Sequence, residues 1–494
     1  VASPPSGSTL FWNGLAGIRY YNIYKEYPLF SGSYYWHGRT AGAVGVVNYT
    51  TDDVVPDTSI GAPYAATVFA AAGNYPSVSA FFQQRLVFAR STNAPDTIRA
   101  SSIGFPHNFN DSVPIKDTSP LTVAIASKRQ PDVLHLVPLN ELLLLARTEE
   151  WLLSSGARGA ALGPRTVSAV KMSENGSDTV APLVVGSDVV TVQRGGRNLR
   201  DYRYDYESYS LSSSDLSIFA AHLLGAGEKF VKISYQNAPL PVIWCLTNLG
   251  NLFSCTYFKE HGIAAWSRHT FYTVFSDSPT VCLDVEVCHD PTNTQDEIYL
   301  GMKRWVNGAY QYFTERMYLR FHGGQATYGY GHTLDGSVSS AGAAASYAYG
   351  FELFAGETIH LVADGEVLPP RVVTPGGGLW FTLEEGTAAL VHGGFPFYVD
   401  VQPLELLADD SIGSTQGRVR GVSGAVVVVQ DTEDLWISGY SSGIGESGSL
   451  VSGQRSVPLA LDDVYSTSLR IQTTRPKPLE LRALIVRMQH GLYD

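Results

Sequence analysis

The sequence predicts an all-β protein in which a central β-propeller-like domain is flanked by a small β-sandwich-like domain and a C-terminal β-domain. Strand signals fill most of the chain, whereas helix signals are confined to short stretches such as residues 216–224. Apolar strand pairs broken by a short turn recur through the middle of the chain. The 494 residues are enough for two to four domains of roughly 150 residues each.

The first region, residues 1–74, carries short strand signals at 17–24 and 43–49 between Pro, Asp and Gly residues. These signals indicate a partial platform β-domain. The chain starts at Val1, and no basic segment followed by an apolar one stands near that start. We therefore expect the true beginning, and with it the first strands of this domain, to be missing.

The central region, residues 75–320, contains five apolar strand pairs, which lie at 82–90, 142–153, 189–200, 242–258 and 298–315. Their midpoints are evenly spaced, with intervals of 58, 48, 54 and 56 residues between Leu86, Leu144, Val192, Leu246 and Met302. Propeller blades repeat every 40 to 50 residues or so. The spacing favours a β-propeller-like domain. A series of sandwiches or barrels is the alternative, because no repeated sequence word marks each blade.

Two turns in this region have hairpin signatures. Asn307-Gly308 predicts a type I′ turn, which would place Trp305 opposite Tyr310 in a cross-strand pair worth about 0.5 kcal/mol. Gly195-Gly196 predicts a second hairpin of the same kind.

The third region, residues 321–494, is predicted to be a C-terminal β-domain with strands at 358–367, 388–399, 424–430 and 479–487. Two segments, 323–350 and 439–454, are rich in Gly and Ser, with Ala and Tyr also frequent in the first. Such compositions contribute little to a core, so we predict flexible loops there.

The charge and composition narrow the range of functions. Lys and Arg number 34 and Asp and Glu 46, for a formal charge of −12, which argues against a protein that holds nucleic acid by neutralising phosphates. Only 16% of residues are charged and 44% are hydrophobic, so disorder throughout is excluded. This low charge, with 28 Tyr, favours a component of a protein assembly. No apolar run approaches the roughly 18 residues that cross a bilayer, which predicts no membrane-spanning segment.

Four cysteines are too few for a disulfide framework and indicate synthesis in a reducing compartment. The stretch from Cys282 to Asp290 superficially resembles a metal cluster, but its alternation predicts a strand with Leu283, Val285 and Val287 on one face. Its two sulfurs would then stand roughly 20 Å apart, too far for a shared zinc ion. Cys245 and Cys255 flank a turn at 248–251, and only a three-residue loop would let them meet.

Catalytic residues are not evident. The three adjacent acidic pairs, Glu149-Glu150, Asp409-Asp410 and Asp462-Asp463, stand at or near turns, where we expect solvated side chains facing opposite sides. The histidines that attract attention in strand-like sequence, His135, His360 and His392, are interpreted as structural or edge-strand residues. We therefore assign no catalytic, cofactor-binding or metal-binding residue, and expect no enzyme and no cofactor. A β-propeller that binds or hydrolyses glycans remains the alternative, with a lectin or adhesin as a third possibility.

A series of short sequence words resembles the tail nozzle (tail tubular protein B) family of short-tailed bacteriophages. The most specific word is Phe82-Gln-Gln-Arg-Leu-Val-Phe-Ala89, and the others cover nearly the whole chain in the family's order. They are Tyr21-Asn-Ile-Tyr-Lys25, Gly42-Ala-Val-Gly45, Asp52-Asp-Val-Val-Pro-Asp57, Tyr75-Pro76, Asn93-Ala-Pro-Asp-Thr97, 142–151, Gln193-Arg-Gly-Gly-Arg197, Asp215-Leu216, Ala221-His222, Pro241-Val-Ile-Trp244, Met302-Lys-Arg-Trp305, Glu315-Arg316, Phe354-Ala-Gly-Glu-Thr-Ile-His360, Ala363-Asp-Gly365 and 476–484. This sequence departs from the family's pattern in two ways. Family members usually have more sequence before the platform domain, and Ala62-Pro63 stands here where they have a double proline.

The resemblance implies a virion structural protein, made in the cytoplasm of the bacterial host, that forms a homohexameric ring at the distal end of the tail. Its implied partners are further copies of itself, portal-adaptor proteins, and tail fibre or spike and needle proteins. Genomic DNA would be held back and then conducted through the lumen without sequence-specific binding. A net negative subunit suits a conduit along which DNA slides. We hypothesise that segment 439–454 forms or supports a gate that retains the DNA.

Overall fold

The computed structural model describes residues 9–14, 20–26, 34–41, 45–50, 57–61, 69, 71–109, 115–128, 131–156, 160–205, 210–289, 295–317, 333–374, 381–382, 386–404, 409–410, 413–414, 420–444, 450–464 and 468–490. Across these ranges the protein is all-β, which confirms the predicted fold class. The helical turns in them are three-residue 3-10 segments, namely Ala221–Leu223, Lys259–His261 and Glu352–Phe354. Only the first falls in the predicted helical stretch.

The N-terminal strands form two small antiparallel sheets. A two-stranded sheet has the order β1-β4 and a three-stranded sheet the order β2-β3-β5. The strands are β1 (Thr9–Gly14), β2 (Tyr20–Glu26), β3 (Tyr34–Ala41), β4 (Gly45–Thr50) and β5 (Asp57–Gly61). The strand signals at 17–24 and 43–49 correspond to β2 and β4.

The central region is a run of meander sheets, in which strands that follow one another in sequence are neighbours in the sheet. Four sheets have four strands each and the fifth has three, as in a β-propeller-like domain. The strands are β6 (Val78–Phe82), β7 (Arg85–Ala89), β8 (Thr97–Ala100), β9 (Leu121–Ala124); β10 (Val133–Pro138), β11 (Leu142–Ala146), β12 (Glu150–Ser154), β13 (Ser168–Ser173); β14 (Leu183–Val185), β15 (Asp188–Val192), β16 (Leu199–Asp205), β17 (Ser210–Asp215); β18 (Phe230–Gln236), β19 (Val242–Thr247), β20 (Leu252–Phe258), β21 (Ile263–His269); and β22 (Val281–Cys288), β23 (Glu297–Val306), β24 (Ala309–Arg316). The five predicted strand pairs correspond to hairpins of these five sheets.

The second meander sheet is buried on both faces. Every residue of β11 is buried, and its alternate side chains enter two different clusters. Leu142 and Leu144 pack with residues of the first sheet, whereas Leu143 and Leu145 pack with Val189 of the third. Each such leucine stabilises the fold by about 1.5–3 kcal/mol. The apolar run of β11 therefore requires a neighbouring sheet on either side.

The two predicted hairpin turns have different outcomes. Asn307 and Gly308 have φ angles of 53° and 74°, and Trp305 lies opposite Tyr310 with ring centroids 5.1 Å apart in an edge-to-face arrangement. This prediction is confirmed. The prediction of a two-residue turn at Gly195-Gly196 is wrong. Val192 pairs with Leu199, which leaves six residues between the two strands. Both glycines still have positive φ, which explains the local signal.

The C-terminal region contains a four-stranded sheet of order β25-β30-β27-β28, a second of order β31-β38-β35-β36, a three-stranded sheet β37-β34-β39, and the pairs β26-β29 and β32-β33. Its strands are β25 (Leu334–Ala345), β26 (Tyr347–Ala348), β27 (Thr358–Ala363), β28 (Glu366–Val372), β29 (Phe381–Thr382), β30 (Ala388–Pro396), β31 (Asp400–Val401), β32 (Asp409–Asp410), β33 (Gly413–Ser414), β34 (Arg420–Thr432), β35 (Trp436–Ile437), β36 (Tyr440–Ser441), β37 (Val451–Val464), β38 (Ile471–Gln472) and β39 (Leu481–His490). Each of the four predicted strands in this region overlaps one or more of these.

The two Gly/Ser-rich segments need correction. In 323–350 the described part contains the twelve-residue strand β25, which pairs with β30. In 439–454 the last residues belong to β37, and Gln454 lies opposite Val428 of β34. Backbone pairing with a neighbouring strand overrides the weak strand preference of Gly, Ser and Ala. Residues 323–332 and 445–449 lie outside the described residues, and the gate hypothesis for 439–454 stays a prediction.

Contacts within the chain define two compact units. The first comprises Val1–Tyr235, Pro241–Leu249 and Ser254–Trp266, and the second Gln236–Leu240, Gly250–Phe253 and Ser267–Asp494. The three-region division at residues 74 and 320 stays a prediction.

Gly176 provides a test of packing in the first unit. Its φ is +73°, and a Cβ there would lie 2.3 Å from the carbonyl oxygen of Arg147. Gly186 has a similar φ of +63° but open space around it. Positive φ alone costs about 1 kcal/mol for alanine. We expect Gly176→Ala to lower the free energy of unfolding by at least about 2 kcal/mol more than Gly186→Ala in urea titrations followed by fluorescence. Equal losses would contradict this packing.

Candidate functional site

Arg85 is a fully buried charged side chain of the first unit. It opens β7, directly after a turn in which Gln83 and Gln84 have positive φ. Its guanidinium is 0% exposed and donates to four backbone carbonyls, those of Ser101 at 2.6 Å, Ser119 at 2.7 Å, Asp117 at 2.8 Å and Leu162 at 2.9 Å. Burial lowers the pKa of Arg85 to about 10. The charge of this residue is therefore used to hold loops together.

Arg304 has the same role in the second unit, with carboxylates in place of carbonyls. It lies on β23 between Glu315 of β24 and Asp335 of β25, with Nε 2.5 Å from Glu315 Oε1 and Nη2 2.6 Å from Asp335 Oδ1. Burial alone would lower its pKa, but the hydrogen bonds and charges of these two carboxylates raise it above its ordinary value. The three side chains form a closed ionic group that joins neighbouring sheets.

Arg197 closes the loop that follows the third meander sheet. Its guanidinium donates to the carbonyl oxygens of Leu224, Gly225 and Glu228, at 2.9, 2.7 and 2.9 Å. Arg85, Arg197 and Arg304 all belong to the sequence words that carry the tail nozzle resemblance. The guanidinium group of each of these arginines is bonded to carbonyls or carboxylates of its own chain.

The expectation that Glu149 and Glu150 are solvated at a turn is wrong. They are 3% and 0% exposed. Glu149 accepts hydrogen bonds from Ser127 Oγ at 2.8 Å and Trp151 Nε1 at 3.1 Å, and pairs with Lys171 Nζ at 3.3 Å.

Glu150 is enclosed between two sheets. It accepts hydrogen bonds from the hydroxyl of Tyr202 at 3.1 Å, from the backbone N–H of Asn175 at 3.2 Å and from Ser173 Oγ. Burial raises the pKa of Glu150, and these donors oppose part of that shift. One partner, Tyr202, lies 52 residues away in sequence, so no local pattern could reveal it.

A second ionic cluster was not predicted at all. Lys259 Nζ lies 2.6 Å from Asp188 Oδ2 and 3.1 Å from Asp201 Oδ2. Tyr257 donates to Asp201 at 2.8 Å, and the N–H of Ser214 donates to it at 2.7 Å. Burial would raise the pKa of Asp201, but these donors and Lys259 hold it below its ordinary value. A carboxylate so fully bonded is a poor general base.

The structure tests the predictions for the other two acidic pairs only in part. Asp409-Asp410 forms the first strand of a tight hairpin, as the turn signal indicates. Asp462-Asp463 lies in β37, just before the strand ends at Val464. The side chains of both pairs lie outside the described residues.

The three histidines have structural partners. His135 lies on β10, the outermost strand of its sheet, with Nε2 2.9 Å from the carbonyl oxygen of Asp178. His392 Nδ1 is 2.7 Å from Ser339 Oγ, and His360 packs edge-to-face on Tyr398. Burial lowers the pKa values of His135 and His360.

The structure tests some of the cysteine predictions. All four thiols are free, and the loop between Cys245 and Cys255 has four residues, the length for which no contact was expected. A β-bulge between Cys282 and Asp284 reverses the predicted alternation, so that Cys282 and Val285 are buried and Leu283 is 52% exposed. Within the described ranges, no three His, Cys, Asp or Glu side chains are placed to hold a metal ion.

One cavity of about 770 Å³ lies within the second unit. Its wall includes the phenylalanines Phe271, Phe313, Phe354, Phe395 and Phe397. Arg304, Glu315 and Asp335 also line it, and they are bonded to one another as described above. The wall therefore combines apolar rings with polar side chains, among them Ser337 and Ser339.

Comparison with known proteins gives little beyond this description. No protein-family model and no curated protein matches the chain. A luciferin-regenerating enzyme covers 44% of this chain and 80% of its own, at 10% identity and a TM-score of 0.19. A protein described as a 6-phosphogluconolactonase, from Bacteroides fragilis, covers 62% and 83%, at 10% identity and a TM-score of 0.28. Prp20p from Saccharomyces cerevisiae covers 80% and 93%, at 12% identity and a TM-score of 0.27. Similarity this low carries no functional argument.

No helix in the described ranges is both long and apolar enough to cross a bilayer.

Removal of the Arg85 guanidinium should destabilise the first unit strongly. Arg85→Met leaves four carbonyls without this donor, three of them in buried hydrogen bonds, and we expect a loss of about 3 kcal/mol or more in the free energy of unfolding. Arg85→Lys should be intermediate, because one ammonium spans fewer of the four oxygens. The matched control is Arg165→Met at an exposed position, with an expected change within about 0.5 kcal/mol. Urea titration measures all three, and a neutral Arg85→Met would refute this role.

Glu150 should make stability depend on pH. Because its pKa is raised in the folded state, the wild-type protein loses stability as the pH rises from about 4.5 through that higher pKa. Gln cannot ionise. The free energy of unfolding of Glu150→Gln, measured relative to that of the wild type, should therefore rise as the pH is raised from about 4.5 to about 7.5. Urea titrations at both pH values measure the gain. The exposed Glu260→Gln serves as control, and a difference that does not change with pH would contradict the prediction.

Proposed function

We propose that this chain is a structural subunit of a bacteriophage tail nozzle, which surrounds the path of the genomic DNA and conducts it during ejection. The observation that carries the proposal is the position of the charged residues in the sequence words that resemble the nozzle family. Arg85, Arg197 and Arg304 bind carbonyls and carboxylates of their own chain. Such residues specify an architecture and leave no chemistry for a substrate.

The electrostatics support a conduit. A subunit with a net charge of −12 repels phosphates on average, and several copies around a channel would multiply this charge. DNA could then slide without being retained by ionic contacts. We propose that retention depends instead on constriction of the channel.

Exposed apolar turns support an assembly role. Phe219 is 92% exposed and Ile218 beside it is 62% exposed, in the connection from β17 to β18. Large apolar side chains at the tip of a loop are unfavourable in water and are typical of contacts with another protein. In a ring, such a loop would meet a neighbouring subunit or the portal adaptor.

The proposal predicts a defined copy number in the virus particle. Quantitative mass spectrometry of purified particles of the phage that encodes this chain should find six copies for every twelve portal subunits. The same measurement would identify any sequence that precedes Val1.

Absence of the chain from particles would reject the proposal. The alternative, a glycan-binding or glycan-hydrolysing protein, would then be examined with glycan arrays and hydrolysis assays on the purified chain. A nozzle subunit should give neither binding nor hydrolysis.

A further inference from the structure

The cavity of the second unit combines aromatic rings with charged groups. Its volume of about 770 Å³ lies in the range of pockets that bind small organic molecules. Five phenylalanines line it, and two of them, Phe313 and Phe397, are only partly buried and keep part of their ring surface open. A ligand in this cavity would therefore contact phenyl rings close to the ionic group of Arg304, Glu315 and Asp335.

This ionic group has more negative than positive charges. Both oxygens of Glu315 accept from Arg304, at 2.5 and 2.8 Å, and both oxygens of Asp335 do so at 2.6 and 3.0 Å. Two carboxylates thus share one guanidinium. Among the described residues, the further donor to these carboxylates is the backbone N–H of Tyr272, 2.6 Å from Asp335 Oδ2. A peptide N–H carries no formal charge, so one negative charge is left without a countercharge.

The other titratable residues of the wall do not supply that countercharge. Arg316 also lines the cavity, but its Nη1 is bonded to Glu297 Oε1 at 2.9 Å. Asp431 and Glu480 add two more acidic residues to the wall. Burial lowers the pKa of His269 to about 4, so its ring is neutral at about pH 7. The charges of the wall therefore favour a positively charged ligand.

We propose that this cavity binds an organic cation with an apolar body, of the quaternary ammonium or phosphonium class. The face of a phenyl ring attracts a cation within about 6 Å, most strongly where water is excluded. The guanidinium carbon of Arg304 already lies 5.9 Å from the ring centroid of Phe271. An anion of the same shape would be repelled by the carboxylates. The inference concerns a small ligand and does not rest on the proposed tail function.

A matched pair of ligands tests the sign of the charge. Tetraphenylphosphonium and tetraphenylborate have nearly the same size and shape but opposite charges. Isothermal titration calorimetry on the full chain should show one phosphonium bound per chain, about tenfold or more tighter than the borate. Salt at about 0.15 M screens the long-range field of the whole chain, whose net charge is −12. Absence of binding, equal affinities, or tighter binding of the borate would overturn the inference.

A charge introduced into the wall tests the location of the site. Ser337 lines the cavity and is exposed, so Ser337→Lys adds an ammonium there without removing a buried group. We expect it to weaken phosphonium binding by about tenfold or more and to strengthen borate binding. Ser212→Lys in β17 of the first unit is the matched control. It also replaces an exposed serine, makes the same change in net charge, and should leave both affinities unchanged.

Photocrosslinking of the wild-type chain locates the ligand even if Ser337→Lys does not fold. A quaternary ammonium that carries a benzophenone group, irradiated with the chain and mapped by peptide mass spectrometry, should label peptides that contain residues 313–317, 333–339 or 395–397. Excess tetraphenylphosphonium should prevent this labelling. Labelling confined to the first unit would overturn the inference. None of these results bears on the tail proposal, which depends on the copy number in particles.

Discussion

A charged group inside a protein must find its partners there, because its transfer from water costs several kcal/mol when it is left unpaired. This constraint governs much of the structure. Arg85 binds carbonyls at positions 101, 117, 119 and 162, and so fixes loops that are otherwise far apart in sequence. Glu150 and Arg304 act likewise across neighbouring strands. These charged groups therefore join loops and neighbouring sheets to one another.

Apolar burial supplies the second constraint. Strand β11 is leucine on both faces, and one sheet face can be covered only by another layer. The first and third meander sheets provide these layers through the clusters around Leu144 and Leu145. The repetition of meander sheets follows from this need, even though no repeated sequence word accompanies it.

The surface of the chain includes exposed segments that carry no charge. Several surface segments present neutral or apolar groups, among them Phe219 and the strand β25. Surfaces of this kind are costly for a protein that functions alone in water. They support the view of the chain as one part of a larger assembly, which is the basis of the tail proposal.

The sequence by itself determined the all-β class, the hairpins and the type I′ turn at Asn307-Gly308, because alternation and turn chemistry depend on neighbouring residues. It did not reveal the burial of Glu149 and Glu150, the cluster around Lys259, the bulge at Cys282 or the strand at 334–345. Those features depend on partners outside the local sequence, such as Tyr202 for Glu150, or on backbone pairing that side-chain composition does not encode. Local physics thus decided which strands form. Only the tertiary structure decided which charges are enclosed between them.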